Sequence, residues 1–280
     1  MKNYNNLIHP EEKNTLSKLN SAIDTIENIP GVKDIIQSVS QSNDSDYGFC
    51  VANYIQASKV QYSEVYAILE ELCKEINISK PNLFIKSDNK FDHFTIGKAP
   101  YNIVLSSGLV NLLDKDGLKV VIAHECGHIK FNHVQYTNML QHFDAFKSVI
   151  PLKMDIVLTP FISKFVEWCR VSDYTADRIT ADIMKDDYVV VKTFIKLSRG
   201  DNYEISSEQI KDFIAQGRNA KRQANDQSFI TKMIDALKNS TYTEASNFTV
   251  RAYELNSWFS GNGNNISSST GVKHRRFVWK

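Results

Sequence analysis

The sequence contains little glycine and proline. Its 11 glycines and 6 prolines among 280 residues are roughly half of the combined share of about 12% that is usual in proteins. This scarcity favours helices over turn-rich β architecture. Hydrophobic residues make up 42% of the chain and charged residues 23%, which is typical of a globular protein and excludes a mainly disordered chain.

Long uncharged apolar runs are also missing. The first residues, MKNYNNLIHPEEKN, contain no apolar core of a signal peptide. The most apolar stretch, 143–169, carries six charged residues and two prolines, whereas a bilayer span needs about 20 predominantly apolar residues. We therefore predict no transmembrane segment. Residues 143–165 are predicted to form a docked amphipathic hairpin, and peripheral contact with a membrane surface is the alternative.

Neither sign of charge dominates. The chain has 33 basic and 32 acidic residues, a net charge of +1, so nothing indicates a nucleic-acid partner. Its four cysteines form no CxxC pair; they are Cys50, Cys73, Cys126 and Cys169. Without an export signal, this pattern predicts reduced thiols and a cytoplasmic location.

The order of helical and β patterns predicts one α+β domain, mostly helical, with a small sheet. Helical patterns cover 7–28, 47–76, 115–141 and most of 161–259, and β patterns cover 83–87, 93–97 and 101–107. Residues 261–271, rich in glycine, asparagine and serine, are predicted to be a flexible linker. The predicted division is an N-terminal helical region (1–56), a catalytic core (57–200), C-terminal helices (201–260), and a linker with a basic tail (261–280).

The first candidate metal-binding and catalytic residues lie in the segment VVIAHECGHIKFNH, residues 120–133. It contains HExxH, with His124 and His128 only about 40° apart on one helical face and Glu125 beside them. Two imidazoles at this spacing can bind one zinc ion, while the carboxylate acts on a water held by the metal. Cys126 and His133 fall on the opposite side of a continuous helix, so neither is predicted to be a ligand.

A catalytic zinc needs a third protein ligand and an open position. The segment WCRVSDYTADRITADI, 168–183, supplies candidates, since Asp173 and Asp177 are four residues apart on one helical face. Asp173 is predicted to bind the metal and Asp177 to hydrogen-bond the outer nitrogen of a ligating histidine. The small Ala176 between them would permit close approach of the two helices. A solvated acidic face is the alternative.

Together these motifs resemble the HtpX / CAAX prenyl protease 1 family of gluzincin metallopeptidases, whose signature is HExxH followed by ExxAD. The similarity runs from about 92 to 258. It includes the edge-strand segment Asp92–Gly97, the segment IVLSSGLVNLLDKDGLKVVIAHECGHI, the segment EWCRVSDYTADR, and FTVRAYELNSW at 248–258. The resemblance implies a zincin-like fold and one zinc ion per chain.

The sequence departs from this family at three places. Asp173 replaces the glutamate ligand, Asp92 replaces an asparagine in the edge strand, and Ala245-Ser246 replaces a His-Pro pair. The resemblance implies that the missing histidine faces the substrate carbonyl as it becomes an oxyanion, so slow turnover is expected. His93 and Arg251 could supply this donor. The alternatives are that His93 is an exposed strand residue and Arg251 a salt-bridge partner.

The sequence thus predicts a zinc-dependent endopeptidase acting on proteins or peptides. His124, His128 and Asp173 would bind zinc, and Glu125 would take a proton from the attacking water and pass it to the leaving amine. The substrate would lie along the edge strand at 92–97. The alternatives are a zinc-stabilised binding module with little turnover and a membrane-surface quality-control protease. The oligomeric state, and whether 1–56 acts as a prosegment, stay open.

Overall fold

A small mixed sheet forms one wall of the fold. The computed structural model describes residues 4–28, 33, 43–136, 155–224 and 247–270. The four strands are β1 (Ile55–Gln56), β2 (Asn82–Lys86), β3 (His93–Ile96) and β4 (Asn102–Ser106). Their order is β1-β2-β4-β3, with β2 and β4 parallel and the other two pairs antiparallel. β3 is therefore an edge strand, as the sequence predicted.

Three of these strands match the predicted β segments to within about two residues at either end. Every residue of β4 is buried, which is why its sequence is a continuous apolar run. The register pairs His93 with Leu105 and Thr95 with Ile103. His93 and Thr95 consequently project from the same face of β3, since side chains alternate along a strand.

Helices make up most of the described chain, and the α+β prediction is confirmed. A 3-10 turn, Asn5–Leu7, precedes the first of them. The helices within the described residues are α1 (Glu12–Glu27), α2 (Asn43–Asn53), α3 (Ser63–Ile76), α4 (Ser107–Leu112), α5 (Lys115–Lys130), α6 (Asp155–Met184), α7 (Asp187–Arg199), α8 (Ser207–Ala224) and α9 (Phe248–Thr270).

The continuous helix predicted over 47–76 is wrong, because α2 and α3 are separated by β1 and a turn. The hydroxyl of Ser58 accepts hydrogen bonds from the backbone N–H groups of Val60 and Gln61, a local arrangement that competes with helix formation. Tyr62 then adopts the left-handed conformation at the start of α3. These local bonds are not visible in the apolar periodicity.

Two other predicted ends differ from the structure. The helix predicted to reach residue 141 ends at Lys130, and Asn132 takes a left-handed φ of 59°, a conformation that asparagine tolerates. The linker predicted from residue 261 is helical through Thr270, since no proline interrupts the helix begun by Phe248. The hairpin predicted at 143–165 lies partly outside the described residues, and its described part begins α6.

Apolar clusters hold these elements together, and two of them contain most of the buried apolar residues. The larger joins α3, β2, β4 and α5, and its fully buried members include Leu69, Leu72, Leu83, Ile103 and Leu105. The smaller joins α7, α8 and α9. The proposed division of the chain into four regions stays a prediction.

α5 and α6 pack at very short range. A Cβ added to Gly127 would lie 2.8 Å from Ile179 Cγ2 and 3.2 Å from Ala176 Cα, so only glycine fits there. The close approach expected at Ala176 is confirmed. No helix in the described ranges combines the length and apolar character needed to cross a bilayer.

Candidate metal centre

α5 carries two histidines on one buried face. Asp114 caps its N-terminus by accepting a hydrogen bond from Gly117 N–H, and the apolar residues that follow bury the helix against the core. His124 and His128 are 4% and 6% exposed. Their Nε2 atoms lie 3.0 Å apart, as the spacing of one helical turn predicts.

Asp173 of α6 faces this histidine pair. Its Oδ1 lies 3.4 Å from His128 Nε2 and 3.9 Å from His124 Nε2. One ligand atom from each of the three residues lies within 4.8 Å of the other two. Two imidazole nitrogens and one carboxylate are a donor set that suits zinc and leaves a coordination position open. The residues therefore fit the metal that the sequence predicts.

Asp177 and Arg251 surround the outer nitrogen of His124. Asp177 Oδ1 lies 2.9 Å from His124 Nδ1. Arg251 donates to both carboxylate oxygens, from Nε at 2.8 Å and from Nη2 at 2.6 Å. Burial raises the pKa of Asp177, but the Arg251 guanidinium outweighs this effect and holds that pKa well below its usual value. Burial and Arg251 lower the pKa of His124 to about 4, which keeps its imidazole neutral and able to bind a cation.

Glu125 is held by two side chains of the edge strand. His93 Nδ1 lies 2.6 Å from Glu125 Oε1, and the Thr95 hydroxyl donates to Oε2 at 2.6 Å. Burial raises the pKa of Glu125, but the hydrogen bond with His93 and the nearby histidines outweigh it and lower that pKa to about 2. Glu125 is therefore a carboxylate in a fixed orientation beside the histidine pair.

His133 and Glu12 lie behind His128. Because the chain turns at Asn132, His133 Nδ1 comes within 3.0 Å of His128 Nδ1. Glu12, in the first turn of α1, places Oε1 3.3 Å from His133 Nε2. Its other oxygen accepts a hydrogen bond from the Thr175 hydroxyl.

The structure brings together His124, His128, Asp173, Glu125 and Asp177, as the sequence predicted. Their roles remain a prediction. The two residues predicted as possible substrate contacts lie beside these five. Arg251 is directed at Asp177 and is 4% exposed, which agrees with the salt-bridge alternative. The His93 side chain is 13% exposed and contacts Glu125, so it is not a simple exposed strand residue, and its contact with substrate stays a prediction.

Sequence reasoning missed Thr95, His133 and Glu12. The two-residue spacing of His93 and Thr95 in a predicted strand was a usable signal for Thr95. His133 was rejected because the helix was expected to continue past it, and Glu12 is 121 residues away from His133 in sequence. The substituted pair Ala245-Ser246 lies outside the described residues.

The chain is similar to known peptidases over most of its length. The sequence profile of Peptidase family M48 matches residues 59–261. Similar curated proteins include the plastoglobule-localized metallopeptidase 48, chloroplastic, of Arabidopsis thaliana, 26% identical over 60% of this chain and 49% of that protein. A protease HtpX homolog of Pyrococcus abyssi is 27% identical over 52% of this chain and 60% of its own length. One of Helicobacter acinonychis is 29% identical over 51% and 56%.

The chain spans about half to three fifths of the length of these curated relatives. No solved structure matches it significantly. The matched range contains α5 and α6 together with their histidines and carboxylates, and it begins well after Glu12.

Proposed function

The chain belongs to peptidase family M48, and on this premise we propose that it is a zinc-dependent metalloendopeptidase that hydrolyses peptide bonds of protein or peptide substrates. The observation that supports this proposal most strongly is the cluster of His124, His128 and Asp173 beside the oriented carboxylate of Glu125. A purely structural zinc has no use for a buried general base at this place.

His124, His128 and Asp173 would hold one zinc ion per chain. When bound, zinc would supply a Lewis acid that polarises the substrate carbonyl and makes it easier for a general base to remove a proton from the attacking water. Asp177 fixes the orientation of His124 by accepting a hydrogen bond at Nδ1, which leaves Nε2 free to bind a cation. Arg251 in turn holds Asp177 through two hydrogen bonds.

Glu125 would act as the general base and then as the general acid. Its carboxylate would accept a proton from the attacking water and later donate it to the leaving amine. Both of its oxygens are engaged by β3, one with His93 and the other with Thr95. This arrangement restricts the rotation of the carboxylate and keeps it beside the histidine pair.

The substrate would lie extended along β3. An edge strand offers backbone groups to which a peptide can add as a further strand. In the described sheet β3 is the last strand beyond β4, and its His93 and Thr95 side chains reach Glu125. A peptide bound along the backbone of β3 would therefore pass close to the metal ligands.

We further propose a cytoplasmic location. All four cysteines are buried, and no disulfide joins any two of them: Cys50, Cys73, Cys126 and Cys169. Reduced, buried thiols are typical of a reducing compartment. Cell fractionation with an epitope-tagged chain tests this location, and recovery in a membrane or exported fraction would contradict it.

The proposed activity is tested by casein cleavage and zinc content measured on the same preparations. The wild-type protein is expected to carry zinc and cleave casein, while Glu125→Gln is expected to keep its zinc and fold but lose cleavage, because the amide cannot accept the water proton. Equal cleavage by both proteins would contradict the role of Glu125. Full zinc without cleavage of any peptide would instead favour a zinc-stabilised binding module.

A further inference from the structure

His128 has a hydrogen-bond partner beyond the end of the HExxH helix. Its Nε2 faces His124 and Asp173, and its Nδ1 lies 3.0 Å from His133 Nδ1. An imidazole that offers the Nε2 lone pair to a cation carries its hydrogen on Nδ1. His128 Nδ1 is then the donor in this contact, and His133 Nδ1 is the acceptor.

The same reasoning extends from His133 to Glu12. Since His133 Nδ1 accepts, the hydrogen of a neutral His133 lies on Nε2, which is 3.3 Å from Glu12 Oε1. His133 Nε2 can therefore donate to the Glu12 carboxylate. The three side chains form one directional sequence of hydrogen bonds from His128 through His133 to Glu12.

Glu12 is itself fixed from its other side. The backbone N–H of His9 donates to Thr175 Oγ1 at 2.9 Å, so the Thr175 hydroxyl is left to donate to Glu12 Oε2. Thr175 is fully buried and His133 is 2% exposed. Water is therefore a poor substitute for either partner of His133, and both carboxylate oxygens of Glu12 have defined donors.

We propose that Glu12 and His133 are positioning residues for the metal ligand His128, so that the N-terminal helix α1 forms part of the metal centre. This inference rests on the zinc site proposed above. Glu12 lies outside residues 59–261, which the family profile matches. The segment that carries Glu12 supports the site, so its loss would weaken zinc binding rather than uncover a blocked cleft.

The test measures zinc affinity of metal-free full-length protein by competition with a chromophoric chelator. Glu12→Ala and His133→Ala are each expected to weaken zinc binding roughly 10-fold, at the lower end of the effect of losing a partner of a metal ligand. Glu12→Gln keeps an acceptor oxygen, so it is expected to weaken zinc binding less than Glu12→Ala does. The double variant should lose little more than the worse single variant, because both act through one sequence of hydrogen bonds.

A matched control separates positioning from mere docking of α1. Lys18 of α1 forms an ion pair with Glu167 of α6 at 3.7 Å, a contact that includes none of Glu12, His133 and His128. Lys18→Ala is expected to leave zinc affinity unchanged, and so is Glu11→Gln, which removes the neighbouring exposed charge. Circular dichroism checks folding, and Glu12→Gln serves if Glu12→Ala does not fold.

The outcomes separate this inference from the proposed function. If the wild type binds no zinc, the proposed metal centre fails and this inference fails with it. If the wild type binds zinc and Glu12→Ala and His133→Ala bind it equally well, only the positioning role is overturned. An equal loss of affinity in Lys18→Ala would likewise overturn it, since α1 would then act only by packing.

Discussion

Asp173 and Asp177 lie one turn apart on α6 but have different surroundings. Asp173 is partly exposed and faces the two Nε2 atoms of the histidine pair. Asp177 is buried and bonds Arg251 and the outer nitrogen of His124. If Asp173 binds the metal and Asp177 forms a structural ion pair, replacing each by alanine should affect zinc affinity and the free energy of unfolding differently.

Asp173→Ala is expected to abolish tight zinc binding with little effect on the unfolding free energy of the metal-free protein. Asp177→Ala is expected to weaken zinc roughly 10–100-fold and to lower that free energy by about 3–5 kcal/mol, because it leaves Arg251 buried without its partner. Urea unfolding and chelator competition measure the two quantities. The reverse order of zinc affinities would assign the ligand role to Asp177.

Arg251 provides the control for the second of these effects. Adding Arg251→Met to Asp177→Ala removes the uncompensated buried charge, so it is expected to restore part of the lost stability. The same double variant should not regain zinc affinity, because His124 still lacks its acceptor. Stability unchanged by the second substitution would show that the loss had another cause.

The helices α5 and α6 present the ligands through a close contact at Gly127. Gly127→Ala would place a methyl group 2.8 Å from Ile179 Cγ2 and push the two helices apart. It is expected to destabilise the protein by about 1–3 kcal/mol and to weaken zinc binding, since Asp173 would move away from the histidines. Thermal unfolding and zinc competition measure both effects.

Gly48 in α2 is the matched control, because a Cβ there meets nothing within 4 Å. Gly48→Ala is expected to stabilise the helix by about 0.5–1 kcal/mol and to leave zinc affinity unchanged. Equal zinc affinity in Gly127→Ala and the wild type would mean that the helix spacing does not control the site.

Site residues could be predicted from the sequence where their spacing within one helix brings them together. The i, i+4 spacing of His124 and His128 lies within one helix, so periodicity alone placed both imidazoles on one face. The pairing of Asp173 with them needed only that small residues allow the helices to meet. The contact of His133 with His128 was missed because the left-handed Asn132 ends α5. Apolar periodicity does not indicate such a turn.

The contact between α1 and His133 was beyond sequence reasoning. Glu12 approaches His133 only because α1 packs on α6, where His9 and Thr175 are hydrogen-bonded. No pattern in either segment indicates its partner. The break between α2 and α3 was missed for a related reason, since the hydrogen bonds of Ser58 are made by a polar side chain that apolar spacing ignores.

At the scale of the whole molecule, α1, α5, α6 and α9 all contribute side chains to one centre. A ligand that binds only the folded chain stabilises it by about 4 kcal/mol when its free concentration is a thousand times its Kd. Zinc is therefore expected to raise Tm by several degrees over the metal-free protein, and His124→Ala should abolish this difference. An identical Tm with chelator and with zinc would contradict this coupling of metal binding to the fold.

The most direct test of the central claim is cleavage of a peptide library by the same wild-type preparation before zinc removal, after it, and after zinc is restored. We expect about one zinc per chain at the start, loss of cleavage with the metal, and recovery when one equivalent is returned, with Glu125→Gln inactive throughout. Cleavage that survives complete removal of zinc, or that Glu125→Gln retains, would contradict the assignment of this site as a zinc peptidase centre.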